Sequence, residues 1–304
     1  MKKFSTITLG MVMLLTVSCS NDMIEVTDTA TMNNGSNDIV AQMSHFNDSL
    51  SMTKPETRGA GRILYWMCVV SSDIIGGYSG GCAGAKVGAI IGHPHVGAAI
   101  GAVVVGGYSS YKAHRILSDA YATRGVEKNN ISLKPMEVAA AYVPALENEA
   151  VIKDNYPTQI KLDNLDKKDI EIGAKHNAIL KNLETNNFNK EKILQYLSKE
   201  ELQILSSKEL EDEMENTVEK AIESSLKGEY IKTDGNDTPA KVMNLFFEIF
   251  EKYPDNVDDV QFIINKYIEA VKNTEEISEA DKEIIYQALS IGASSYEYWS
   301  GTSK

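Results

Sequence analysis

Hydrophobic and polar positions fall into three patterns along the chain, and each predicts a different kind of element. From Ser20 to about Gly61, isolated apolar residues sit among Ser, Thr, Asn and Asp without a helical or strand period, which predicts a flexible tether. From Asp73 to Tyr111, glycine and alanine alternate with β-branched residues, and Lys86 is the one charge that interrupts the apolar run. Further on, apolar residues recur at helical spacing: Val242, Leu245, Phe246, Ile249, Phe250 and Tyr253, then Val260, Ile263, Ile264, Tyr267, Ile268 and Val271, then Ile284, Ile285, Ala288, Leu289 and Tyr296. Helix starts are marked by Ser198 before Lys199-Glu200-Glu201, Ser278 before Glu279-Ala280-Asp281, and Thr238 before Pro239. Residues 135–296 are thus expected to hold about six helices, with the clearest loop at Gly228 to Asp237. No run alternates long enough for a strand. The predicted class is all-α, a glycine-zipper helical hairpin followed by an acidic multi-helix bundle.

Within the middle pattern, Gly76, Gly80, Gly84, Gly88 and Gly92 recur at an interval of four, so a helix there carries one continuous groove of bare backbone. Glycine is about 1 kcal/mol worse than alanine in a helix interior, so such a row is costly unless close packing returns the loss. Another helix lying in the groove returns it. His93-Pro94-His95 then marks the turn, because proline cannot continue the upstream helix but suits the first turn of a new one. The second helix repeats the device with Gly97 and Gly101, beside a neighbouring row of Ala98, Ala102, Gly106 and Ser110. The predicted hairpin covers residues 62–125, closed by Gly125.

The N-terminus adds a location. Met1-Lys2-Lys3 is a positive head, Ile7 to Val17 an apolar core too short to span a membrane permanently, and Ser18-Cys19 follows. This layout predicts an export signal over residues 1–18. The junction Leu15-Thr16-Val17-Ser18-Cys19 resembles a lipoprotein signal, which implies a lipid-bearing Cys19 as the first residue of a tether over residues 19–61, the alternative being an ordinary secretory signal that ends in cysteine. About forty flexible residues would span roughly 35 Å root-mean-square. Charge divides the rest: residues 126–304 hold 35 acidic side chains, 21 lysines and no arginine. That balance argues against nucleic acid, which needs clustered Lys and Arg. All four arginines, Arg58, Arg62, Arg115 and Arg124, flank the glycine segment, where they suit anionic head groups, the acidic domain or solvent.

Candidate chemistry changes the picture little. Gly77-Tyr78-Ser79-Gly80-Gly81 matches the G-x-S-x-G pattern of serine hydrolases, but it lies inside the glycine row with no strand before it. Gly80 to Lys86 departs from a phosphate loop at Ala85 and Val87. His93 and His95 straddle a proline with no further ligand near in sequence, and read as turn residues. His176 follows Gly173 in a helix presenting Ile170, Ile179, Leu180 and Leu183, and reads as a buried or capping histidine. Asp234 to Asp237 and Asp255 to Asp259 lack the twelve-residue calcium spacing and read as a turn and a helix start. Cys68 and Cys82, fourteen residues apart on one helix, are about 21 Å apart and cannot pair with each other. No catalytic residue, metal or cofactor is expected.

A signal ending at Cys19, joined to the glycine row from Gly76 to Gly92 and the pair Gly97 and Gly101, resembles the outer-membrane glycine-zipper lipoproteins, and the Asn/Ser/Thr-rich tether resembles lipoproteins of Bacteroidota. The likeness covers residues 1 to about 111. It implies a lipid-anchored envelope protein, helix-hairpin insertion, self-association and support of the envelope. Three readings stand. The first is a non-enzymatic envelope lipoprotein, anchored by Cys19, whose hairpin associates with membrane lipid or a second copy and whose helical domain binds an unidentified protein. The second is a secreted membrane-active antagonist of bacteriocin type that inserts the hairpin. In the third, the hairpin is the buried core of a soluble helical domain.

Overall fold

The computed structural model describes residues 38–54, 62–123, 131–148, 150–253 and 256–302. These form helices and no strand: α1 (Ile39–Thr53), α2 (Arg62–Ile90), α3 (Pro94–Thr123), α4 (Pro135–Ala140), α5 (Val143–Glu147), α6 (Ala150–Lys153), α7 (Lys167–Glu184), α8 (Lys190–Ile193), α9 (Lys199–Leu205), α10 (Lys208–Lys227), α11 (Thr238–Phe250), α12 (Val257–Asn273) and α13 (Glu279–Thr302). The expected six helices over residues 135–296 correspond to five long ones, α7 and α10 to α13, because the remaining elements there are single or double turns too short to leave a period. Ser198 caps α9 in a capping box with Glu201, as expected, whereas Asp237 rather than Thr238 caps α11. The export signal, Cys19 and Gly125 lie outside the described residues.

α2 and α3 form the hairpin, and its two helices touch backbone to backbone. Gly80 faces Gly101 and Gly84 faces Gly97, so closely that a methyl group on any of the four would fall inside 3.0 Å of the facing helix's carbonyl oxygen. Gly88 meets the carbonyl of His93 in the same way, and Gly76 lies under Gly106 and Ser109. Gly92 departs from the expected row. It stands beyond the end of α2 with φ of +81°, with open space where a side chain would be, and so makes the turn instead of packing a helix. The reversal is made by Ile91, Gly92 and His93, where His93 N–H donates to the Gly88 carbonyl at 2.8 Å, while Pro94 and His95 open α3.

Neighbouring faces of the hairpin are narrow too, and other helices use them. Gly77 and Gly81 lie under Ile291 and Ile284 of α13, and Gly107 lies under Ile179 of α7. Gly173 of α7 in turn lies against Ser290 and Ser294 of α13. α10 also packs on both helices of the hairpin. The expected division between residues 62–125 and 126–304 therefore gives way to a common core. All described residues belong to one compact unit, and Val70, Ile74, Val105, Leu180, Val218, Ile285 and Ile291 share one hydrophobic cluster.

The tether expected over residues 19–61 is corrected in its second half. Residues 39–53 form α1, which Asp38 caps by accepting from the N–H groups of Val40 and Ala41. Ile39, Met43, Asn47 and Leu50 make its buried stripe, too sparse among polar residues to stand out as a period. Tertiary contacts supply what local propensity does not. The Asn47 amide donates to the Leu245 carbonyl at 2.9 Å and accepts from the Tyr267 hydroxyl at 3.0 Å; Phe46 meets Tyr267 edge-on. Lys54 forms an ion pair with Asp259.

Alanine ordinarily stabilises a helix over glycine by about 1 kcal/mol. Here Gly84→Ala and Gly101→Ala are expected to do the reverse, lowering stability by more than about 2 kcal/mol, because each methyl must force α2 and α3 apart. Gly301→Ala, at an α13 position open to space, serves as the control and should shift stability by less than about 1 kcal/mol. Chemical denaturation of the three variants decides it; equal effects at all three sites would rule out the close approach.

Candidate functional site

The chain seals a polar centre beneath the hairpin. Asp73, on α2, is fully buried, as are Ser110 of α3, His176 of α7 and Ser295 of α13, so each of four helices delivers one group to the same place. Ser110 Oγ donates to Asp73 Oδ2 at 2.9 Å and Ser295 Oγ donates to the same oxygen. Trp299 Nε1 donates to Ser110 Oγ at 3.2 Å, closing the arrangement from the end of α13. His176 Nε2 lies 4.0 Å from Asp73 Oδ2. The His176 ring fills the space that the missing side chain of Gly106 leaves open, so the small-residue rows also make room for this centre.

The hydrogen bonds assign the protons. Asn177 Nδ2 donates to the Ser294 carbonyl at 2.9 Å, which turns Asn177 Oδ1 toward His176 Nδ1 at 3.0 Å. Nδ1 is therefore the protonated ring nitrogen and Nε2 a bare acceptor aimed at a carboxyl group. Asp73 Oδ1 and His176 Nε2 both lack a hydrogen-bond partner among the described residues. Burial pushes the Asp73 carboxyl well above its ordinary 3.8, against the opposing pull of the Ser295, Ser110 and Trp299 donors. Burial also lowers His176 from its ordinary 6.5 to about 4. Burial thus disfavours the charged form of both groups, the carboxylate as well as the imidazolium, and leaves the His176 imidazole neutral at neutral pH.

Serine, histidine and aspartate thus meet here, but not as a nucleophilic relay. The serine hydroxyls donate to the carboxylate and not to the imidazole, and none of the three groups is exposed to solvent. What the centre can do is fix the register of α2, α3, α7 and α13. Ser79 of the G-x-S-x-G match lies in mid-helix on α2, half-buried, with no strand before it. His93 and His95 are exposed at the hairpin tip, where His95 Nδ1 lies 2.5 Å from Glu283 Oε2. Among the described residues no group of three or more His, Cys, Asp or Glu side chains could hold a metal ion. Cys68 is buried and Cys82 half-buried, both on α2.

His176 is buried, as its apolar helix neighbours predict, whereas its partner Asp73 left no signal of the pairing. Asp73 marks only the start of the glycine and alanine run, and nothing in its spacing ties it to residues 103 and 222 positions further on. Three comparisons, with protein-family models, with curated proteins and with solved structures, find no match for the chain.

An acid held above its ordinary value when folded opposes folding at neutral pH, and that opposition fades as pH falls to 3.8. Asp73→Asn removes it, while the amide oxygen keeps both serine hydrogen bonds. The variant should be more stable than the parent by more than about 1 kcal/mol at pH 7, with the gap closing toward pH 4. His176 acts with the opposite sign, so the variant itself should lose stability as pH falls from 6.5 to about 4. Denaturant titrations of both proteins across this range measure the two slopes; a pH-independent gap would contradict the buried acid.

Proposed function

We propose that the chain is a non-enzymatic lipoprotein of the cell envelope, held to the membrane through acylated Cys19, with the helical unit as a protein-binding module built on the glycine hairpin. The observation that carries this reading is where the zipper is used. The glycine face of α2 is filled by α3 of the same chain, and the flanking faces of the hairpin by α10 and α13 and, on the α3 side, α7. The groove that a second copy would occupy is therefore taken. No helix of the described residues is long and apolar enough to cross a membrane. Both points support the hairpin as scaffold and leave the lipid as anchor, which joins the first and third readings of the sequence.

The antagonist reading retains one supporting feature. The tip of the hairpin exposes apolar side chains, Ile90 at 80% and Val96 at 39%, beside His93 and His95. A tip of this kind is where insertion of a released hairpin would begin, at the expense of the buried faces.

The two readings separate in carbonate extraction of a chain exported by a non-lipoprotein signal and beginning at Ser20. The scaffold reading predicts that this protein leaves the membrane fraction entirely, while the acylated parent stays in the pellet. Retention of the unlipidated protein in the pellet would overturn it in favour of an integral hairpin.

A further inference from the structure

A cleft of about 360 Å³ opens between α2, α10 and the loop that leads into α11. Its floor is apolar, from Ile75, Ala83 and Ile284, and Tyr78 and Cys82 stand beside it. Burial holds the Cys82 thiol up at about 11, so that at neutral pH the floor carries no charge. Four carboxylates line the rim, yet each is already engaged inside the chain. Glu213 accepts from Thr217 at 2.7 Å, Asp237 from the Ala240 N–H at 2.9 Å and Asp281 from Ser278 at 2.7 Å, and Asp234 is paired with Lys220. Lys86, on α2, and Lys232, in the loop before α11, also line the cleft, and neither forms an ion pair among the described residues. In a chain of net charge −13, two unmatched lysines over one apolar floor are a departure from the prevailing electrostatics.

We propose that this cleft binds a small amphiphilic carboxylate, with its head between Lys86 and Lys232 and its apolar body on Ile75, Ala83 and Ile284. The size suits the lower end of small-ligand sites, which begin at about 300 Å³. A singly charged head matches two point-like ammonium groups. A doubly charged phosphate would double its attraction to the lysines and its repulsion from the four rim carboxylates alike, and it brings no apolar body to the floor. The site is independent of the anchoring argued above, since no lining residue lies in the N-terminal segment.

Hexanoate is the probe, and hexanamide, its neutral counterpart of the same shape, is the control. Ligand-observed NMR on the full chain should show saturable hexanoate binding in the millimolar range, as expected for about eight heavy atoms. Hexanamide should bind at least about fivefold more weakly, and Lys86→Gln with Lys232→Gln should weaken hexanoate by a similar factor, as exposed ion pairs allow. Both lysines are exposed, so the double variant should keep its circular dichroism and unfolding midpoint. No hexanoate binding, equal binding of the amide, or unchanged hexanoate affinity in the folded double variant would each overturn the assignment.

Discussion

Everything in this fold depends on two helices being able to touch at their backbones. α2 and α3 are 29 and 30 residues long, and at Gly80, Gly84, Gly97 and Gly101 neither leaves room for a single added carbon. Ordinary helix pairs stand 8–10 Å apart with side chains interleaved. Contact without side chains draws the pair closer and leaves the apolar groups of both helices pointing sideways and outward. Those groups must be covered, and α7, α10 and α13 cover them. An acidic set of amphipathic helices around an apolar hairpin is then one molecule with one core, and its charge pattern records which surface faces water.

The polar centre answers a second requirement of that arrangement. Faces made of glycine, alanine and serine slide past one another easily, because they carry few knobs to lock into holes. Asp73, Ser110 and His176, one from each of α2, α3 and α7, and Ser295 and Trp299 from α13 supply a directional lock whose groups meet their partners only in one register. Burial of the Asp73 carboxyl opposes folding at neutral pH, and burial of the His176 imidazole opposes it in acid. A buried polar group that fixes register at the expense of stability is a known use of such groups in packed helices. Elsewhere the same logic recurs with less burial: Glu297 accepts from the N–H groups of Thr158, Gln159 and Ile160 at 2.6–2.8 Å, tying the segment before α7 to α13.

What was legible in the sequence followed from periodicity. The four-residue glycine interval, the proline restart at Pro94 and the apolar stripes of α11 and α12 are local signals, and the helices stand where they point. Gly92 misled because it completes the interval arithmetically while sitting past the last helical residue, where φ and not packing selects glycine. α1 was missed because Asn47 does the work of an apolar residue, exchanging hydrogen bonds with Leu245 and Tyr267 about two hundred positions away. The polar centre was invisible for a like reason. Its members have no spacing in common, and only the fold makes Asp73 and Ser295 neighbours.

The central claim is that the hairpin is the innermost part of a single cooperative unit. Native-state hydrogen exchange followed by mass spectrometry tests it most directly. If the claim is right, amides of residues 70–88 and 97–110 exchange only through global unfolding, with the same denaturant dependence as those of α13. Exchange of the hairpin at a lower free energy than α13, as a separately opening element, would contradict it.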